Sequence, residues 1–236
     1  MLAIEAAIAK TSKYAVPESG DTAEVVERPG GGLSIIMADG QRSGRSAKAI
    51  SNLVVRKAAS LVLEGVRDGA AARAASDYLL VARRGQVSAD MVIISADLAT
   101  RSLVITRNTR CPVVLYSGSE VRSLAKPSSP LGISRLVRPE ITEIPLASGL
   151  CLVGFSDGVW EAGTRSQRPV HPPAWMTDVL GQCSREPRRL ADAVLDTALQ
   201  LDSGRPRDDM TVVVLVTRDY EESPDVRRLH VIYPAR

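Results

Sequence analysis

The chain has 236 residues with 44% hydrophobic and 24% charged side chains, values of an ordinary globular protein that exclude a disordered tail protein. No apolar run approaches the ~18 residues that a membrane-spanning helix needs, and Glu5 interrupts the first apolar stretch before a secretory core can form. A net charge of +3, with 30 Lys and Arg spread along the chain and only 3% aromatic residues, argues against nucleic-acid and membrane partners and predicts a soluble cytoplasmic chain.

The elements follow in order. Residues 2–10, 22–27 and 33–38 read as strands, the last lying behind the Gly30-Gly31-Gly32 turn. From Arg45 to Val66 the period changes. Ala47, Ile50, Val54, Ala58 and Leu61 form one stripe and Lys48, Arg56 and Lys57 fall off it, which predicts an amphipathic helix. A second helix is expected over about 70–84, with Ala71, Ala74, Ala75, Tyr78 and Leu79 inward. Residues 91–97, 102–107 and 112–117 then predict consecutive strands of an antiparallel meander. After the Pro/Ser-rich loop 125–132, strands are expected at about 139–144 and 150–156. A flap is expected over 163–174, a helix at about 187–201 opened by Pro187, and a strand buried on both faces at 210–217.

Strands, two helices, strands, then helix and strand give an α+β class. One domain is expected over 1–217, with residues 218–236 a C-terminal extension whose segment LHVIYP could add an edge strand. Cys111, Cys151 and Cys183 are odd in number and widely separated, so they read as buried hydrophobes rather than a disulfide or zinc framework.

Three aspartate-bearing turns each abut a strongly apolar strand: Asp39-Gly40 and Asp157-Gly158 follow one, and Asp208-Asp209 precedes one. An Asp-Gly pair after a strand is also a common turn, because Asp bonds its own backbone and Gly accepts positive φ. If the three turns meet, their carboxylates repel and call for a cation. Oxygen ligands without His or Cys point to magnesium or manganese. Gly40 could add its carbonyl, and Asp21, in the SGDT turn, could return to the same place across the first hairpin or serve only its own turn.

The segments IIMADGQRSGRSA, LCLVGFSDGVWEAG and RDDMTVVVLV, in this order, resemble the metal-dependent protein phosphatases of type 2C, the PPM superfamily. The likeness is strongest to the bacterial branch typified by sporulation stage II protein E and the stressosome phosphatases. The resemblance implies an antiparallel β-sandwich flanked by helices on both sides, a four-layer αββα arrangement, with two Mn or Mg ions at one edge. In it Asp39 would bridge both metals, Gly40 would ligate one through its carbonyl, Asp157 and Asp208 would complete one metal's shell, and Asp21 would serve the other. It further implies a serine/threonine phosphatase in which a water shared by the two ions attacks phosphorus in line, acting on a small phosphoprotein of the anti-sigma-factor-antagonist type. A regulatory partner could act through the helix pair 45–84. The alternatives are a pseudophosphatase that binds a regulator without turnover, or a basic nucleic-acid-binding domain.

This chain departs from the family pattern in three places. Arg42 replaces a glycine of Asp-Gly-x-Gly-x-Gly, Glu24 stands where many members have Asp, and Asn108-Thr109-Arg110-Cys111 replaces Asn-Ala-Gly-His. Arg42 and Arg45 are candidates to grip phosphate, against a solvated helix start as the alternative. His171 could donate a proton to the leaving oxygen or be an ordinary loop residue, and Glu161 could orient metal waters or cap a helix.

Overall fold

The computed structural model describes residues 2–118, 120–164, 175–176, 178–179, 186–220, 226–228 and 230–232. Two five-stranded antiparallel sheets stack face to face. One has the order β1 (Leu2–Thr11), β10 (Met210–Asp219), β9 (Leu150–Phe155), β6 (Val113–Ser117), β7 (Glu120–Leu124); the other runs β2 (Asp21–Glu27), β3 (Gly32–Gly40), β4 (Ala89–Asp97), β5 (Ser102–Asn108), β8 (Glu140–Pro145). Helices α1 (Gly44–Leu63) and α2 (Asp68–Ala82) cover the second sheet, and α4 (Pro187–Leu201) covers the first. The short α3 (Asp157–Trp160) follows β9 directly. The expected αββα sandwich is what the chain forms.

Strand alternation builds the layers. In β3, Ile36 and Ala38 point into the cluster under α1 and α2, while Ile35 and Met37 point into the core between the sheets with Val92, Ile94, Val213 and Leu215. The same period puts Asp39, two residues beyond Met37, on the inter-sheet face at the end of the strand. From Met210 to Thr217 every residue of β10 is buried, as its unbroken apolar run requires.

Two expectations need correction. The meander breaks after β5: β6 pairs with β9 and β7 in the other sheet, because the chain turns a corner where Arg107 donates to the carbonyls of Cys111 (2.9 Å) and Lys126 (2.6 Å). A strand pattern carries no label for the sheet it joins. In α2 the inner face is Ala71, Ala72, Ala75, Ser76 and Leu79, whereas Tyr78 is 50% exposed beneath the Lys57 ammonium. Ser76, on the buried face, accepts the Gly132 N–H (3.1 Å). Lys48 lies off the apolar stripe as expected, and its ammonium donates to the Asp21 carbonyl (2.6 Å) and to Thr22 Oγ1 (3.0 Å).

Cys111 and Cys151 are buried, as expected of small hydrophobes. Cys183 and residues 165–174 of the expected flap lie outside the described residues, as does most of the tail. Residues 226–228 and 230–232 are not in a strand. Among the described residues no helix is long and apolar enough to cross a membrane.

Candidate active site

The sheets open at one end onto a cavity of about 380 Å³, lined by Asp39, Asp90, Asp157 and Asp208 together with Gly40, Gln41, Arg42, Arg110, Ser88 and Ser128. Asp39, Asp157 and Asp208, from three turns far apart in sequence, are thus brought to one place.

Each turn is fixed by its neighbours. A Cβ on Gly40 would lie 2.2 Å from the Ala47 carbonyl, so the absence of a side chain lets α1 dock against the Asp39 turn. Gln41 then locks onto Ser88 by two hydrogen bonds, backbone to backbone (3.0 Å) and Ser88 N–H to Gln41 Oε1 (3.1 Å). Arg42 keeps the left-handed conformation, φ +87°, that suits the glycine of the resembling family, and it lines the cavity. Arg45 does not line it; its side chain is 96% exposed, 3.9 Å from Glu18.

The Asp157 and Asp208 turns are laced together. Ser156 Oγ donates to the Asp209 carbonyl (3.2 Å) and accepts from the Thr211 N–H (2.9 Å), and a Cβ on Gly158 would meet the Asp209 carbonyl at 2.2 Å. Asp209 is turned away from the cavity. Its carboxylate accepts the Lys13 N–H (2.9 Å) and the Gly20 N–H (2.8 Å), so it staples the N-terminal segment to β10 while Asp208 faces the opening.

Asp21 stands directly opposite Asp39 in the β2–β3 register, as a return across the hairpin would require. It is fully buried behind the cavity wall, with one oxygen accepting Thr211 Oγ1–H (2.6 Å). Asp90 stands opposite Asp39 on the other flank, in β4, and accepts Thr109 Oγ1–H (2.6 Å). Sequence reasoning missed Asp90. Its signal was present, an acidic residue opening the apolar strand MVIISAD just as Asp208-Asp209 opens MTVVVLV. Glu161 forms an ion pair with Arg110 at the rim, and His171 lies outside the described residues.

The electrostatics are those of crowded acids. Burial above all, then Asp21 and Asp157, holds the Asp39 carboxyl far above the ordinary carboxylate range. Asp157 is raised by burial and then by Asp208, and Asp21 by burial, only partly offset by its hydroxyl donors. The Asp39 and Asp157 carboxyls lie close enough to act on each other, which raises Asp39 and lowers Asp157. No group of three or more His, Cys, Asp or Glu side chains among the described residues is gathered tightly enough to hold an ion as it stands. The donor set nonetheless fits hard divalent cations. It is all oxygen, and one buried oxygen each of Asp21 and Asp157 has no hydrogen-bond partner. A cation would relieve the repulsion among these carboxylates.

Comparison with known proteins agrees with this geometry. The family described as Stage II sporulation protein E (SpoIIE) matches residues 29–218. Stage II sporulation protein E of Bacillus subtilis (strain 168) is 23% identical over 198 residues, 84% of this chain and 24% of the relative, and the Priestia megaterium protein is 20% identical over 89% of this chain and 36% of the relative. The chain therefore spans about a quarter to a third of the length of these curated relatives. Among solved structures, the PP2C phosphatase domain with a regulatory-domain fragment of Bacillus subtilis SpoIIE superposes with TM-score 0.80 at 22% identity, covering 94% of this chain and 65% of that one. The catalytic domain of the serine/threonine phosphatase PstP in complex with two manganese ions gives 0.72 at 16%, covering 93% and 100%. The RsbU and RsbW domains of a Mycobacterium tuberculosis protein give 0.74 at 17%, covering 91% and 60%. The fold is that of the PP2C phosphatases, which are phosphoric monoester hydrolases.

Proposed function

The chain belongs to the SpoIIE family, and from that premise we propose that it is a metal-dependent serine/threonine protein phosphatase working in the cytoplasm. Its proposed substrate is phosphoserine or phosphothreonine on a small regulatory protein of the anti-sigma-factor-antagonist type. The observation that carries the reading is the meeting of Asp39, Asp157 and Asp208 in one cavity, with an unpartnered buried oxygen on Asp157. An RsbU domain in one of the similar structures supports the substrate class.

Asp39, Asp157 and Asp208, the Gly40 carbonyl, and Asp21 from behind are the residues that would hold two Mn or Mg ions. Such ions, when bound, supply Lewis acidity at phosphorus and an acidified water for in-line displacement. The chain's own residues set the rest. Asp39, flanked by Asp21 and Asp90 in the strand register, forms the acidic side of the cavity that cations would occupy, and the cation Arg42 lines the same cavity. A phosphoryl group, itself an anion, is therefore directed to the side where positive charge can meet it.

Helix α1 is the proposed route for control by a partner on the helix pair 45–84. Besides docking on Gly40 and reaching Asp21 through Lys48, it carries Ser51, whose hydroxyl donates to the Gly20 carbonyl. A partner that shifts α1 would shift both turns.

The test is hydrolysis of a phosphoserine peptide, and of a phosphorylated anti-sigma-factor antagonist, with and without manganese, by wild type and Asp39→Asn. Manganese-dependent turnover lost in Asp39→Asn is expected, with the antagonist preferred. Turnover unchanged by the substitution would overturn the reading, and manganese binding without turnover would identify a non-catalytic regulatory module.

A further inference from the structure

Beyond the metal-holding acids, the cavity has two cationic side chains among the described residues, Arg42 and Arg110. We infer that Arg110 is a substrate-binding residue that takes the phosphoryl oxygens of a phosphomonoester dianion, with Glu161 as its anchor. The inference rests on the phosphatase reading of the cavity.

The segment that carries Arg110 is built to present it. Arg107 is buried and bound to the Cys111 and Lys126 carbonyls, Asn108 Nδ2 donates to the Ser129 carbonyl (3.0 Å), and Thr109 is bound to Asp90. The Cys111 N–H donates back to Thr109 Oγ1 (3.0 Å), closing the turn. Every residue around Arg110 is pinned, while the Arg110 side chain itself is 64% exposed at the cavity edge. Where the resembling family has the glycine of Asn-Ala-Gly-His, this chain spends an arginine at that position.

Among the described residues, the one hydrogen bond from the Arg110 guanidinium runs from Nη2 to Glu161 Oε1. Glu161 closes α3, whose first residue is Asp157, and its N–H donates to the Asp157 carbonyl (2.7 Å). The same short element therefore sets both a candidate metal ligand and the arginine's anchor. A guanidinium has five N–H donors in a planar fork, so one bond to Glu161 fixes its aim and leaves a bidentate edge for phosphate. A phosphomonoester carries about −1.5 to −2 at neutral pH, and a guanidinium on the cavity lining offers charge and donors to those oxygens that divalent ions held by the aspartates would leave free.

The experiment is steady-state kinetics with manganese and a phosphoserine peptide, competitive inhibition by inorganic phosphate, and calorimetric manganese binding. The variants are Arg110→Ala, Arg110→Lys and Glu161→Gln. For Arg110→Ala, KM and the phosphate inhibition constant are expected to rise about ten- to a hundredfold, with manganese affinity within about twofold of wild type. Arg110→Lys, which keeps the charge and loses the fork, falls between. Glu161→Gln raises KM by a smaller factor. An unchanged KM and inhibition constant in Arg110→Ala, or a parallel loss of manganese affinity showing that Arg110 only balances the acids, overturns the inference. Should wild type hydrolyse no phosphopeptide, the phosphatase reading falls, and calorimetric binding of inorganic phosphate to manganese-loaded wild type and Arg110→Ala still decides the role of Arg110.

Discussion

Asp21 and Asp39 face each other across β2 and β3, and on the far side of Asp39 the register places Asp90 of β4. Three carboxylates thus lie in a row across one end of a sheet, where directly opposed like charges destabilise the pairing. Burial favours the protonated forms in this row: the Asp39 carboxyl, in the middle, is raised by desolvation and by both Asp21 and Asp157. Such an arrangement is costly for the metal-free fold and useful once cations arrive.

The adjacent Asp208 and Asp209 are expected to separate function from stability. Asp209→Ala removes a buried carboxylate that accepts two backbone N–H groups, leaving the Lys13 and Gly20 donors without their partner. It should cost about 2–4 kcal/mol in denaturant unfolding. Asp208→Asn should leave the unfolding free energy within about 0.5 kcal/mol of wild type while manganese-dependent hydrolysis collapses. The reverse pattern would assign the cavity-facing role to Asp209.

The metal-free protein is expected to lose stability as pH rises. Burial pushes Asp157 up to about 6 and Asp21 to about 7 from the ordinary 3.8, and Asp39 higher still. Each group therefore holds its proton more firmly folded than unfolded. The stability it contributes is complete below the ordinary value and is lost as pH climbs through the raised one. Thermal melts in chelator should fall between about pH 5 and about pH 8, by several degrees at ~2–4 °C per kcal/mol for a chain of this size. Manganese should recover much of the loss at the upper end, and Asn at position 39 should flatten the slope. A melting temperature that climbs with pH in chelator is the contrary result.

The sequence carried the layers and most of the site, because both rest on local rules. Period-two alternation in LSIIMADG places Asp39 on the same face as Ile35 and Met37, and the apolar run after Asp208-Asp209 marks a buried strand. Long-range docking was not legible. The Arg107 corner at which β6 leaves the sheet of β5, and the Gly132 loop that meets Ser76 from 56 positions away, are contacts that no local pattern carries. Asp209 and Asp208 are alike in sequence; only the N–H groups of Lys13 and Gly20, supplied from the other end of the chain, tell them apart. Asp90 was obscured because a single Asp before a strand, without a following Gly, reads as a turn.

Gly40→Ala tests the contact by which α1 addresses the site. The added methyl would lie 2.2 Å from the Ala47 carbonyl and 3.1 Å from Ile50 Cβ, both in α1, so backbone must move. The expected outcome is a loss of about 2–4 kcal/mol, together with weaker manganese binding because the Gly40 carbonyl shifts with the helix. A stable variant that binds manganese normally would show that α1 can retreat without disturbing the Asp39 turn, and would remove the proposed route for control through the helix pair.

At the opposite end of the same sheet, Arg28 joins three elements. Its guanidinium donates to Asp68 Oδ1 at the start of α2 (2.8 Å), to Asp97 Oδ2 in the β4 end (3.2 Å from Nε), and to Ser34 Oγ (3.1 Å), beside the Ser34–Ser95 hydroxyl pair (2.6 Å). The Arg28 side chain is 8% exposed and that of Asp68 only 2%, so truncating the arginine strands a buried carboxylate. Arg28→Met is therefore expected to cost about 3–5 kcal/mol. Ser34 and Asp39 are five residues apart on β3, about 17 Å along the strand, so turnover per folded molecule should not change. Adding Asp68→Asn to Arg28→Met removes the stranded charge and should recover part of the loss; a double variant no more stable than the single one would mean that Arg28 acts through packing of its stem rather than through the ion pair.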